Sequence, residues 1–245
     1  MDSASTAWAT RRVFVTGCTG FLGTWVVREL LARGANVVGL IRHRVTDSEL
    51  IRHKLHSRIH VVRGRLEEPL TIRRILAVSE ADVVFHLATP PADSVLRALR
   101  AVSSRAVLVA PGLRANRRDR VISPELPTVF GPGDRDSERL VPRMARALVS
   151  GDWPIPPRRM ELEAPHVFAA DAARFLVDVA ETTLAPTTGS QPVLKSVTGA
   201  DVLVALKSSA AVESDPRTDL EVAAAETLTW TRTRFPTPTL QNAAA

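Results

Sequence analysis

The run Val13-Phe14-Val15-Thr16-Gly17-Cys18-Thr19-Gly20-Phe21-Leu22-Gly23 decides how the rest of the chain is read. Its first half is a short apolar stretch rich in Val and Phe, the composition of a strand buried in a parallel sheet. Its second half is a glycine turn that passes into Thr24-Trp25-Val26-Val27-Arg28-Glu29-Leu30-Leu31, where Val27, Leu30 and Leu31 recur at helical spacing. Glycines at Gly17, Gly20 and Gly23 let the backbone approach a bulky anion, and the helix N-terminus points its free N–H groups at that charge. Strand, glycine turn and helix in this order are the context a dinucleotide pyrophosphate requires. A tight turn in an unrelated α/β protein uses the same residues, so the later chain has to separate the two.

Gly34 ends the first helix, and Asn36-Val37-Val38-Gly39-Leu40-Ile41 reads as the second strand. In a dinucleotide fold an acidic residue at this strand end, about 20 residues after the glycines, binds the ribose 2′-hydroxyl of NAD. Arg42-His43-Arg44 stands here instead. Arg42 and Arg44 suit a 2′-phosphate, whose oxygens match a guanidinium fork, and so point to NADPH. A solvated basic loop is the alternative.

Further strands are predicted at Ile59–Gly64, Asp82–Thr89 and Arg105–Val109, with helices at Glu68–Ala77 and Ala92–Val102 between them. Strands alternating with helices predict an α/β fold with a doubly wound parallel sheet. His86, mid-strand in an apolar run, reads as a packed histidine that needs a partner rather than as a catalytic base.

Composition narrows the classes. A chain of 245 residues can bury a core as one domain, or one domain with a small appendage. With 45% hydrophobic residues and a mean hydropathy of +0.03, a soluble globular protein is expected. No stretch has bilayer-spanning length, and Met1–Thr10 lacks a secretory pattern. The one cysteine, Cys18, excludes an internal disulfide and a cysteine-built metal cluster. It is expected to pack in the glycine turn, and a cytoplasmic location follows by default. No metal-ligand spacing is present. The net charge of +6 raises nucleic acid as a partner, but the arginines are scattered and no nucleic-acid motif accompanies them. Neither nucleic acid nor membrane is expected as a partner.

Four blocks taken together carry a resemblance: Thr16–Gly23, Asp82–Ala88, Val129-Phe130-Gly131-Pro132-Gly133-Asp134 with Arg139-Leu140-Val141-Pro142, and Val167-Phe168-Ala169-Ala170-Asp171-Ala172-Ala173. In this order they resemble the extended short-chain dehydrogenases/reductases of the NAD-dependent epimerase/dehydratase branch, with nucleotide-sugar 4,6-dehydratases nearest. The resemblance implies a Rossmann-like sheet with a small C-terminal substrate-binding cap. It divides the chain into a dinucleotide-binding core at 1–135, a cap or lid at 136–165, a return to the core at 166–182, and cap helices with a tail at 183–245. It places the cofactor against Gly17, Thr19, Gly20, Phe21, Leu22 and Gly23, against Leu87, Ala88 and Thr89, and near Arg42 and Arg44. Arg65 and Leu66 lie where the family's adenine contact falls, with Arg65 in place of the usual Asp.

The departures carry as much as the matches. The family's acid is a tyrosine with a lysine one helical turn later, whose cation lowers the phenol's pKa. This sequence has no tyrosine. Its three lysines, Lys54, Lys195 and Lys207, are preceded at that spacing by Leu50, Gln191 and Leu203. Only Ala110–Arg120 remain between the fifth strand and Val121-Ile122-Ser123, so the helix that carries the pair is missing. Ala110-Pro111-Gly112 replaces the family's serine. No catalytic residue is identified; Thr89 and Ser94 are the candidates for orienting substrate. With one dimer helix gone, a monomer is expected.

Beyond Pro132 the sequence predicts helices at Leu140–Val149, Asp171–Ala180, Val202–Ser209 and Leu220–Thr231, and a frayed tail over Phe235–Ala245. Gly151–Pro157 is too rich in proline for regular structure. Its Trp153 and Ile155 suit an apolar or aromatic ligand, or belong to an ordinary connector. Two classes of function survive. One is an NADPH-dependent ketoreductase that works without the tyrosine, the proton coming from a substrate hydroxyl or water. That profile resembles the tyrosine-less ketoreductases of aromatic-polyketide antibiotic pathways and implies an aromatic ketone as substrate. The other is an NAD(P)-binding regulatory module without turnover, or a degenerate nucleotide-sugar epimerase or dehydratase.

Overall fold

The computed structural model describes residues 4–42, 45, 47–89, 93–102, 104–114, 119–151, 157–184, 191–211 and 219–236. In chain order the elements of the first part are α1 (Ala4–Ala9), β1 (Arg12–Thr16), α2 (Phe21–Ala32), β2 (Asn36–Ile41), α3 (Glu49–Arg52), a 3-10 turn at Leu55–Arg58, β3 (His60–Arg63) and α4 (Pro69–Ser79). They continue with β4 (Val83–His86), α5 (Asp93–Ala101), β5 (Val107–Val109) and β6 (Val121–Ile122). Then follow β7 (Thr128–Phe130), α6 (Leu140–Ser150), α7 (Arg159–Glu163), β8 (Pro165–Phe168), α8 (Ala169–Leu184), β9 (Val197–Thr198), α9 (Gly199–Ala211) and α10 (Asp219–Arg234). Two compact units result: 1–126 with 170–194, and 127–169 with 195–245.

The first unit is the parallel sheet that the alternating pattern predicts, in the order β3-β2-β1-β4-β5-β6. Strand order reverses between β1 and β4, and in such sheets ligands bind outside the carboxyl ends at that switch. Alternate residues of each strand point to opposite faces. Val13, Val15, Val83 and Phe85 join Val26 and Leu30 of α2 and Leu176 and Val177 of α8 in one core. Phe14, Val84 and Leu108 join Ile72 and Leu76 of α4 and Val95 and Leu99 of α5 in the other. Burial of one such side chain contributes about 1.5–3 kcal/mol, so two filled layers hold the sheet between helices.

Three features depart from the sequence reading. The strands are shorter than the apolar runs: β4 ends at His86 rather than Thr89, because beyond it the chain turns toward the glycine loop. Helix α1 has no periodicity long enough to announce it, yet Trp8 is buried and its Nε1–H donates to Glu181 at 2.8 Å. Helix α7 is likewise set by a local cap, the Glu161 carboxylate accepting from the Arg158 backbone N–H at 2.7 Å.

In the second unit β7 and β8 pair in parallel and β8 and β9 antiparallel. Phe130, Leu140, Met144, Leu206 and Leu228 fill its core. The tail was expected to fray from Phe235. Instead Phe235 stands edge-on to Trp230, ring centroids 6.0 Å apart, and the Arg146 guanidinium lies 4.2 Å from its ring centre. Those two contacts hold the ring, and residues 237–245 lie outside the described ones. So do residues 152–156 of the proline-rich stretch. Among the described residues no helix is long and apolar enough to cross a membrane.

Candidate functional site

The glycine turn is built by close approach. Gly17 has φ +73°, in the left-handed region that favours glycine, and a β-carbon there would lie 2.6 Å from the Leu87 carbonyl carbon. Gly20 N–H donates to the Gly17 carbonyl at 2.9 Å, and Thr24 N–H to the Gly20 carbonyl at 3.1 Å, which starts α2. The N-cap of α2, Gly20, has no side chain to cap the helix, and no acid stands in its first turn. The first N–H groups of α2 therefore remain for an external acceptor. A cradle without side chains below uncapped N–H groups fits a pyrophosphate.

Each residue read from the sequence as facing a cofactor can now be placed. Gly17, Thr19, Gly20, Phe21, Leu22 and Gly23 form the turn and the start of α2. Leu87, Ala88 and Thr89 run past that turn from the end of β4. Arg42 follows β2 directly and is exposed, whereas Arg44 lies outside the described residues. Arg65 is exposed beside Glu67 at 3.7 Å. Leu66 turns inward, 9% exposed, and packs in the core cluster with Ile72 and Leu76 of α4. Cys18 is packed as expected: it is fully buried, its Sγ–H lies 3.4 Å from the Leu40 carbonyl, and burial pushes its thiol up to about 12.

A cleft of about 580 Å³ opens at the carboxyl ends of β1, β4 and β5. Leu22 of α2 borders it on one side, His86 to Thr89 and Asp93 on another, and Ala110 to Arg114 on the third. Thr89 reaches the cleft; Ser94 does not line it. His86 is 6% exposed, and its Nδ1 is 2.7 Å from the Thr16 Oγ1, which answers the demand for a partner read from its apolar surroundings. The two residues sit opposite each other in the β1–β4 register.

The third wall is the connection between β5 and β6. Its described residues contain no helix. Leu113 N–H closes a turn on the Ala110 carbonyl at 3.2 Å, and Ala110 N–H returns to the Ile122 carbonyl at 2.9 Å. Arg100 of α5 grips Asp119 with two bonds of 2.9 and 2.6 Å, and Arg120 donates to the Arg105 carbonyl at 2.7 Å. Parallel neighbours usually need a crossover helix; here one ion pair and one side-chain-to-carbonyl bond fasten a short connection. Asp93, Leu113 and Arg114 were not singled out in the sequence, and Pro111 and Gly112 only as the replacement of a serine, because only the folded turn brings them to the strand ends.

A second polar cluster lies in the other unit. Arg139 donates to Asp134 at 2.7 Å and also to the Val129 carbonyl. Burial nevertheless pushes the Asp134 carboxyl up to about 6, with Arg139 opposing it. Burial also lowers the His166 imidazole, whose Nδ1 lies 2.8 Å from the Ala164 carbonyl.

Comparison with known proteins places this geometry. The sequence profile of the NAD dependent epimerase/dehydratase family matches residues 13–111. The chain is 41% identical over 86 residues to a dTDP-4-dehydro-6-deoxy-D-allose reductase of a Streptomyces species, covering 33% of this chain and 25% of the relative. It is 28% identical over 145 residues to cinnamoyl-CoA reductase 1 of Arabidopsis thaliana, covering 58% and 41%. The matches thus span well under half the length of these relatives. In three dimensions the chain resembles WbmF of Bordetella bronchiseptica in complex with NADH, with a TM-score of 0.69 at 15% identity over 95% of this chain and 94% of that one. The UDP-glucose-4-epimerase of Stenotrophomonas maltophila with bound NAD gives 0.69 at 13% identity over 91% and 98%. At these identities the structural likeness is one of fold: a Rossmann-like α/β sheet of the NAD-binding epimerase and dehydratase kind.

Proposed function

We propose, from the premise that residues 13–111 are those of the NAD dependent epimerase/dehydratase family, that the chain is an NADPH-dependent reductase of ketones that works without a tyrosine. The observation that carries this reading is the cleft itself, which runs from Leu22 at the glycine turn to the Ala110–Arg114 wall. The glycine cradle and the N-terminus of α2 hold the pyrophosphate, and Arg42 with Arg44 take the 2′-phosphate. Bound there, the coenzyme supplies hydride. The chain's own part is to hold a carbonyl group against it and keep the cleft dry. Leu22, Leu87, Pro111 and Leu113 give that cleft an apolar lining, which suits an aromatic ketone. An aromatic polyketide of the angucyclinone kind, as in simocyclinone biosynthesis, has such a ketone. Thr89 orients the substrate, and the proton comes from a substrate hydroxyl or from water. The protein acts as a monomer.

A second reading, a nucleotide-linked keto-sugar as substrate, is favoured by the 41% identity to the Streptomyces allose reductase. One experiment addresses both. NADPH is mixed with the protein and either a panel of aromatic ketones or a dTDP-4-keto-6-deoxy sugar, and loss of the reduced-coenzyme absorbance is followed. Turnover with the ketones alone is expected. Turnover with the sugar alone would replace the first reading by the second, and binding of NADPH without any turnover would reduce the protein to a binding module.

A further inference from the structure

A second cavity, of about 440 Å³, opens in the first unit at the end of the sheet away from the glycine turn. Among its lining residues, Arg11, Asp82, Ala106 and Arg120 each immediately precede a strand, β1, β4, β5 and β6 in turn. These strands run parallel, so the four residues share the amino end of the sheet. Leu76 and Ala77 in the last turn of α4, and Leu184 at the end of α8, add apolar lining. The volume is that of a site for a small molecule.

The charges of this lining do not cancel. The Asp82 carboxylate accepts from the Arg12 backbone N–H at 2.9 Å and lies 3.7 Å from the Arg11 guanidinium. Glu80 lies 2.6 Å from the Arg12 guanidinium. Both acids of the lining therefore have their cations. Arg120 donates one N–H to the Arg105 carbonyl at 2.7 Å, and the rest of its fork is uncommitted among the described residues. Arg105 is exposed, and its guanidinium meets no described carboxylate. The carbonyl ends of α4, α5 and α8 lie at this end of the sheet, and each carries roughly half a negative charge. Two full guanidinium charges exceed those three ends by a small margin. That margin fits one carboxylate better than a phosphate dianion, and a guanidinium fork matches the two carboxylate oxygens.

We propose that this cavity binds a small monocarboxylate with an apolar body. Arg105 and Arg120 take the carboxylate, and the chain or ring lies along Leu76, Ala77 and Leu184. No lining residue is shared with the cleft at the carboxyl ends of the strands, so such binding needs neither NADPH nor turnover.

The test titrates the full chain with octanoate, octanol and inorganic phosphate, by calorimetry and by amide NMR. Octanoate should bind with a Kd on the order of 1 mM or below, and more weakly at high salt. The amide signals of Ala81, Val102 and Ala106 should move, while those of Leu22 and Thr89 in the other cleft stay in place. Octanol lacks the charge and phosphate lacks the apolar body, so each should bind about tenfold more weakly or not at all. Arg105→Gln removes a side chain that holds no described partner and leaves in place the backbone carbonyl that Arg120 uses, so the fold is retained. It should weaken octanoate by about tenfold, and Arg105→Lys should restore part of that loss. Octanoate that does not bind, or that moves only the signals of the other cleft, overturns the proposal. Octanol binding as tightly as octanoate reduces the cavity to an apolar hollow, and phosphate doing so removes the role of the apolar lining; either overturns it as well. An Arg105→Gln protein that binds octanoate as the parent does overturns the assignment of the carboxylate.

Discussion

A β-carbon on Gly23 would sit 2.0 Å from the carbonyl oxygen of Gly17, far inside van der Waals contact. The first turn of α2 and the end of β1 are pressed together there, and the oxygen belongs to backbone, which cannot swing aside. Gly23→Ala is therefore expected to displace α2 from the cradle. It should destabilise the fold by about 1–3 kcal/mol and abolish NADPH binding. Thermal unfolding and calorimetric titration check this; unchanged affinity would show that the turn does not hold the coenzyme.

In the reductase proposed above, coenzyme choice is expected to depend on the residues that follow β2: charge-assisted bonds from Arg42 and Arg44 to a 2′-phosphate would be worth on the order of 1.5–3 kcal/mol each and hence about tenfold discrimination or more. NADPH is expected to bind more tightly than NADH, with the gap narrowing at high salt. Replacing both arginines by Ala should weaken NADPH and spare NADH. Equal affinities in the unmodified protein would sink the assignment.

Arg33 ties three carboxylates together: Glu29 at 2.8 Å, Asp178 at 2.6 Å and Glu181 at 2.9 Å, with Trp8 sharing Glu181 at 2.8 Å. Removing the cation leaves three like charges facing one another in a half-buried site. Arg33→Ala should cost about 2–3 kcal/mol, below the range for fully buried pairs because water reaches this one. Denaturant unfolding measures it, and Glu181→Gln in the Arg33→Ala background should restore part of the loss.

The pH dependence of stability carries the mark of Asp134. Burial raises its carboxyl to about 6 from an ordinary 3.8. The folded chain then holds more protons than the unfolded one between those values, so this group's contribution is full below about pH 4 and is lost as pH rises through about 6. The unfolding free energy of the parent minus that of Asp134→Asn should fall by on the order of 1–3 kcal/mol between about pH 4 and pH 7. An NMR titration of the Asp134 carboxyl should give a midpoint near 6. A midpoint near 4 with no such slope would refute the assignment.

Light scattering at micromolar concentration should report 26.6 kDa rather than twice that mass. The described residues between β5 and β6 contain no helix, so a two-fold seam built on a helix there is not expected and a monomer is.

What the sequence determined by itself is what local chemistry carries. The apolar run ending at Thr16, the glycines at 17, 20 and 23, and the periodic helices were enough for the parallel sheet, because strand, turn and helix each depend on neighbours close in the chain. The same holds for the packing of Cys18. Tertiary structure alone decided which distant groups meet. Trp8 and Glu181 are separated by 173 positions and Thr16 and His86 by 70, and no periodicity encodes either pairing. The sequence could show that His86 needed a partner in its apolar strand; the β1–β4 register, set by packing of both sheet faces at once, supplied Thr16. The Ala110–Arg114 wall reads as a featureless loop until Arg100 and Asp119 pin its far end, and Phe235 reads as tail until Trp230 and Arg146 meet its ring. A side chain's chemistry is written at its own position, whereas its burial and its partners belong to the packed chain as a whole.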